Sequence, residues 1–229
     1  IQGRILFCAD FEGGTNPATD CVSVADEEKI TSFEAGVKTQ IANKLRLNVA
    51  GFVYQVDGQQ IVAVGGGSNI ATLLNADKTD GYGLEVDLDW APSSDWLFTL
   101  GASYNHTEID DPNLAIEGCG GGCTITSPIV DGLVRVDGNP LPHAPKWIVS
   151  GIVDYRKVLG QGVFKASADW AYHSEKSFFL YQSKEFVGDS FELGARIAYA
   201  FSKGKFEIAA FGRNLTDEVI VQNGIDFNN

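Results

Sequence analysis

Eight stretches of the chain alternate apolar and polar residues with a period of two, the pattern of half-exposed β-strands. The sharpest places Tyr82, Leu84, Val86, Leu88 and Trp90 against Gly83, Glu85, Asp87 and Asp89. Its return sets Trp96, Phe98, Leu100, Ala102 and Tyr104 against Thr99, Ser103, Asn105 and Thr107. Earlier, Phe33, Ala35, Val37 and Ile41 oppose Ser32, Glu34, Lys38 and Gln40. Leu45, Leu47, Val49 and Val53 then oppose Arg46 and Asn48, although Phe52 and Tyr54 fall on the polar side. Later, Trp147, Val149, Val153 and Tyr155 lead to Phe164, Ala166, Ala168, Trp170 and Tyr172. Phe191 to Phe201 and Phe206 to Ala210 complete the set.

The connections alternate in length. Tight turns are expected at Ala42–Asn43, over 92–95, near Gly160 and over 202–204. Long connections are expected over 57–80, from about Glu108 to His143 and over 174–188. This layout predicts an all-β protein: an antiparallel, up-and-down transmembrane β-barrel wall, partial, of eight full strands. Short turns would lie at one rim and long loops at the other. No run approaches the ~20 apolar residues of a membrane helix, whereas a barrel strand needs only ~9–11 alternating ones.

A soluble β-sandwich also alternates, with its apolar face turned inward. Three features favour lipid. Aromatic residues gather at the short turns (Trp90, Trp96, Tyr155, Phe164, Tyr199, Phe201, Phe206), as an interfacial girdle would. The apolar stripe carries no charge, while Glu34, Lys38, Glu85, Asp87, Asp89, Asp154, Lys165, Asp169, Glu192 and Arg196 crowd the other face. The long loops segregate to one side.

The 44 % hydrophobic content suffices for a lipid-facing surface. A net charge of −13 argues against nucleic acid and against docking onto anionic lipid. Met is absent and nothing resembles a signal peptide, so a fragment or processed piece is expected.

Four cysteines form two local pairs, Cys8 with Cys21 and Cys119 with Cys123, both in loop-like segments. Two loop-closing disulfides are the leading expectation. Zinc bound by four thiolates and free thiols are the rival readings. The pairs lie far apart and neither has usual zinc spacing. Three glycines between Cys119 and Cys123 leave the backbone free to close a small ring.

His106, His143 and His173 form no metal-type pair, and no metal or cofactor is expected. His106 with Asp110 and Asp111 is the candidate ligand-binding group at the loop rim. The segment from Gly65 to Asn69 lacks the Lys-Ser/Thr of a phosphate-cradling loop. No nucleophile–base constellation is visible, so no catalytic residue is proposed and an enzyme is not expected. The longest loop is acidic (Glu108, Asp110, Asp111, Glu117, Asp131, Asp137 against Arg135), which disfavours an anionic substrate.

Several motifs resemble one family. Residues 30–38 (ITSFEAGVK) and 45–54 (LRLNVAGFVY), Gly83 to Asp87, and Leu97 to Tyr104 are similar to the barrel of TonB-dependent outer-membrane receptors. Residues 139–145 (NPLPHAP) resemble the family's segment before a late strand, and 211–217 (FGRNLTD) its penultimate-strand signature. The resemblance implies a barrel of about 22 strands filled by an N-terminal plug. Residues 1–229 would be a C-terminal portion of that barrel, lacking the plug, the first half of the barrel and the last strand. It implies the outer membrane of a Gram-negative bacterium, with membrane lipid, TonB (through the missing plug region) and a small nutrient as partners. The nutrient would be of the siderophore, cobalamin or carbohydrate class. A passive porin-like channel and a soluble carbohydrate-binding sandwich are the alternatives.

Overall fold

The computed structural model describes residues 5–6, 22–23, 25–65 and 70–224. Cys8 and Cys21 lie outside the described residues, as do positions 66–69 of the glycine-rich segment. The expected opening strand is described only at β1 (Ile5–Leu6), which pairs with β2 (Val22–Ser23).

Eight strands form one antiparallel sheet: β3 (Lys29–Ile41), β4 (Leu45–Gly65), β5 (Ile70–Ser93), β6 (Trp96–Asp110), β10 (Trp147–Leu159), β11 (Gly162–Ser177), β12 (Val187–Phe201) and β13 (Phe206–Gly212). Each pairs only with its neighbours in this order, an up-and-down meander. Strands β3 and β13 are its edges, so the sheet is not closed among the described residues. The tight turns fall where expected. Ala42 and Asn43 both take positive φ (50° each), the left-handed pair of a type I′ turn, in a three-residue loop (42–44) where Lys44 N donates to Ile41 O at 3.0 Å.

The sheet is one layer thick. Tyr82 and Leu84 are 49 % and 46 % exposed, and Val86 and Leu88 are half-buried by their own neighbours. Phe33, Val37, Val53, Ile197 and Ile208 are likewise exposed. A sandwich would seal this stripe under a second sheet, and the described residues form none over it. The apolar face is also bounded by rings at both ends. At the short-turn rim, contacts run Trp90–Phe98–Trp96–Tyr155–Phe164, with centroids 4.5–6.3 Å apart. A second row not expected from the sequence, Tyr82–Tyr104–Trp147, lies towards the long loops. Eight residues of β5 separate Tyr82 from Trp90, about 27 Å along the strand, matching the ~25 Å apolar band of outer-membrane barrels once strand tilt is allowed for.

Phe52 and Tyr54 break the alternation for a steric reason. They lie on the charged face directly opposite Gly83 and Gly81. Their rings lean across into the space that a side chain on either glycine would occupy. Ring and glycine thereby lock the β4–β5 register. A Cβ at Gly83 would also strike the Tyr104 carbonyl oxygen. Gly83→Ala should therefore cost ~1–3 kcal/mol. The check is the temperature at which the folded barrel band converts to the unfolded one on a gel, and an unchanged temperature would refute the locking role.

The expected long connection over 57–80 is a correction. Residues 57–65 and 70–78 continue β4 and β5 as a paired hairpin. The strands reach 21 and 24 residues, well beyond the ~9–11 that cross the apolar core. Their pattern was hidden because the buried side changes at Gly58 (φ 65°). Below it Val56 and Thr79 are buried; above it Ile61, Ala63 and Ala76 are, with the opposite parity.

Candidate functional site: a packed cap over the charged face

The loop between β6 and β10 is ordered around three short strands, β7 (Ala115–Ile116), β8 (Ile129–Val130) and β9 (Leu133–Arg135), in the order β7-β9-β8. The β8–β9 turn places Asp131 and Gly132 at positive φ, the Asp-Gly hairpin signature. The β11–β12 loop comes back alongside. Thr126 N donates to Gln182 O at 2.9 Å and Lys184 N to Thr124 O at 3.1 Å. Asn139, from the 139–145 motif, donates its side-chain amide to Ser127 Oγ (3.0 Å) and Leu180 O (2.9 Å), tying the two loops.

Between the loops and the extended β4–β6 ends lies the main apolar core of the described residues: Ile61, Ala76, Ile109, Val134, Val136 and Tyr181, with others around them. Cys119 and Cys123 form a disulfide and pack against this core. The cap folds over the charged side of the sheet. It buries Thr79, Thr107 and Ile109, which share that side with Glu85 and Asp87, and Leu141 N donates to Thr107 Oγ1 at 3.0 Å. Tyr82 and Trp147, on the apolar side at similar height, stay exposed. The loops therefore cover what would be the lumen mouth and leave the lipid face bare.

The three candidate ligand residues do not converge. His106 sits on the apolar side, its ring 4.7 Å from that of Tyr82 and 3.2 Å from a Glu108 oxygen. It extends the upper aromatic row. Asp110 shares that side and pairs with Lys78 at 2.9 Å. Hydrogen bonds to Asp80 and Asp110 hold the Lys78 ammonium well above its usual pKa. Asp111 is buried in the cap, where its carboxylate accepts from the backbone N–H groups of Asp77, Asn113 and Leu114. It organises the turn that leaves β6. Arg135 is similarly engaged, donating to the Asn113 carbonyl at 2.9 Å.

Sequence reading missed the latch between the loops. Glu185 accepts from Thr124 N (2.6 Å) and Thr124 Oγ1 (2.9 Å). The backbone hydrogen bond from Thr124 leads the effects that hold this carboxyl below the usual range. A depressed folded pKa adds stability above the ordinary carboxylate pKa, and that stability is lost as pH falls through the lower, folded value. Acidification below the ordinary range should thus speed amide exchange at Thr124. Glu185→Gln should remove the pH dependence, and wild-type exchange that ignores pH would refute the latch. The missed signal was compositional: a run Phe178-Phe179-Leu180-Tyr181 is too apolar for a solvated loop.

The charged face below the cap is partly paired. Lys165 reaches across β12 to Glu207 (2.7 Å), over the buried Ala198 and Ala200, and Arg196 joins the same carboxylate. Arg213 binds Asp169 at 2.6 Å, and Arg46 pairs with Asp89. Glu85, Asp87 and Asp154 have no ion-pair partner among the described residues. No group of three His, Cys, Asp or Glu side chains among the described residues is placed to hold a metal ion.

A single-layer meander, ringed by aromatics and capped over its charged face, has clear relatives. The family model described as "TonB dependent receptor-like, beta-barrel" matches residues 9–215. The chain belongs to the TonB-dependent receptor β-barrel family. Curated protein sequences give no significant match. Among solved structures, it is similar to the ferric yersiniabactin uptake receptor of Yersinia pestis (TM-score 0.61, 16 % identity, covering 86 % of this chain and 26 % of that receptor). It is also similar to the siderophore receptor PiuA of Acinetobacter baumannii (0.58, 21 %, 85 % and 25 %) and the ferric preacinetobactin receptor BauA of the same species (0.56, 15 %, 95 % and 29 %). At these identities the likeness is one of fold. The chain spans between 25 % and 29 % of the length of these receptors.

Proposed function

We propose that residues 1–229 form a C-terminal portion of the barrel of an outer-membrane receptor that takes up a scarce nutrient with energy delivered through TonB. The family match over 9–215 carries this reading. The cap supports it, because a ligand selector belongs over the lumen mouth. The wall's task is then physical: its apolar stripe holds the protein in lipid, its charged face meets water and a plug, and its capping loops select the nutrient. That nutrient is a small molecule of the siderophore, cobalamin or carbohydrate class. Exposed Glu117 and Asp131 on the cap favour a neutral or cationic one. The activity is transport rather than catalysis, and the site is the outer membrane of a Gram-negative cell.

A passive porin-like channel is the competing reading. Uptake by cells expressing the whole receptor separates them. Removing TonB, or collapsing the proton gradient with an uncoupler, should stop high-affinity accumulation of the nutrient. Accumulation that continues undiminished would identify a passive channel and overturn the proposal.

A further inference from the structure

A pocket of about 370 Å³ opens where β10 and β11 meet the cap, between Lys146, Trp147, Ser174, Glu175, Lys176 and Gln182. Its chemistry departs from the acidic cap around it. Among the described residues the ammonium groups of Lys146 and Lys176 have no carboxylate partner, although the protein carries a net charge of −13. The side-chain nitrogen of Gln182 is buried and has no hydrogen-bond acceptor among the described residues. Its backbone is fixed on both sides, N–H to Ser127 Oγ at 3.0 Å and C=O to Thr126 N at 2.9 Å. Ser174 Oγ accepts from Trp147 N at 3.0 Å, which leaves its hydroxyl hydrogen available to donate.

A buried donor left unsatisfied is destabilising, so the Gln182 amide calls for an acceptor, and the lysines and Ser174 beside it can share that acceptor. Two cations and two neutral donors fit a small oxyanion. Glu175 narrows the class further: two lysines and one glutamate leave a formal charge of +1 (2 − 1). A carboxylate beside the anion is tolerated when the anion carries its own hydroxyl to donate. We infer that this pocket binds a phosphate-type oxyanion, held by Lys146, Lys176, the Gln182 amide and the Ser174 hydroxyl, with a P–OH turned to Glu175. This site is separate from nutrient selection by the cap. The phosphate could come from solution or from a lipid A headgroup, since Trp147 belongs to the upper aromatic row at headgroup height.

The test uses the whole receptor in detergent, titrated with inorganic phosphate against chloride at equal ionic strength, reading Trp147 fluorescence assigned by Trp147→Phe. In parallel, native mass spectrometry counts lipid A retained from nanodiscs made with bis-phosphorylated or dephosphorylated lipid A. Each of Lys146→Gln and Lys176→Gln should weaken binding about tenfold, as expected for a lost charge-assisted hydrogen bond. Gln182→Leu should weaken it less, without changing net charge. A saturable phosphate response lost in the variants supports a soluble source. Phosphate-dependent lipid A retention lost in the variants supports the lipid source. No saturable response and no retention, or binding unchanged in Lys146→Gln, Lys176→Gln and Gln182→Leu alike, would overturn the inference.

Discussion

Cells producing the whole receptor with Val86→Arg should show almost none of it assembled in the outer membrane. Val86 lies at the centre of the apolar stripe, opposite Val49 on one side and Ala102 on the other. No layer covers it, so a guanidinium there would meet acyl chains. The cost is ~2–4 kcal/mol at the bilayer midplane, a large share of the stability of any barrel. The next residue supplies the control. Asp87 points to the other side, where it has no ion-pair partner among the described residues, and Asp87→Asn exchanges one hydrated group for another of the same shape. Its assembly should be close to wild type. Heat-modifiable receptor in outer-membrane fractions measures both. Equal tolerance of the two changes would mean that the facing of the sheet is reversed or that neither face meets lipid.

Val134→Asp should have the second largest effect and a different phenotype. Val134 is 1 % exposed at the centre of the cap core, where it packs with the β4–β6 ends and the β11–β12 loop. A carboxylate in that position loses the apolar contacts of valine and has no cation within the core. Together these amount to at least ~3 kcal/mol. The cap's short strands and both loops pack on this cluster, so it should open as a unit. The wall, whose strands are held by their own ladders and by lipid, should still assemble. On intact cells, added protease should then cut within residues 111–146 of the variant and spare the wild type, and nutrient uptake should fall with it. A variant as resistant as wild type would show that the cap does not depend on its core.

These two outcomes separate what period-two patterning exposes from what it hides. The strands facing lipid were legible because each side chain there answers to one neighbour, either hydrocarbon or water, and alternation records that choice directly. The same logic made the short turns and the lower aromatic row visible. The ligand-site expectation was not legible in the same way. His106, Asp110 and Asp111 are near one another in sequence, yet a strand sends 106 and 110 to the apolar side and the turn buries 111 among backbone donors. Sequence proximity says little about convergence when the pleat reverses direction at every residue.

The chain alone determined the all-β class, the eight wall strands and which side of the sheet is apolar; it favoured a Cys119–Cys123 disulfide over zinc or free thiols, and its motifs resembled the family to which it belongs. The strands and turns follow from local rules, pleat periodicity and turn chemistry, and the cysteine pair closes a small local ring. Only the tertiary structure decided that residues 57–78 prolong a hairpin, that Phe52 and Tyr54 fill the space above two glycines, and that the long loops condense into a cap over the charged face. Those features join residues tens of positions apart, such as Thr124 with Glu185 and Ile61 with Val134. Packing of that kind is set by shape and burial across strands, which a one-dimensional pattern does not encode.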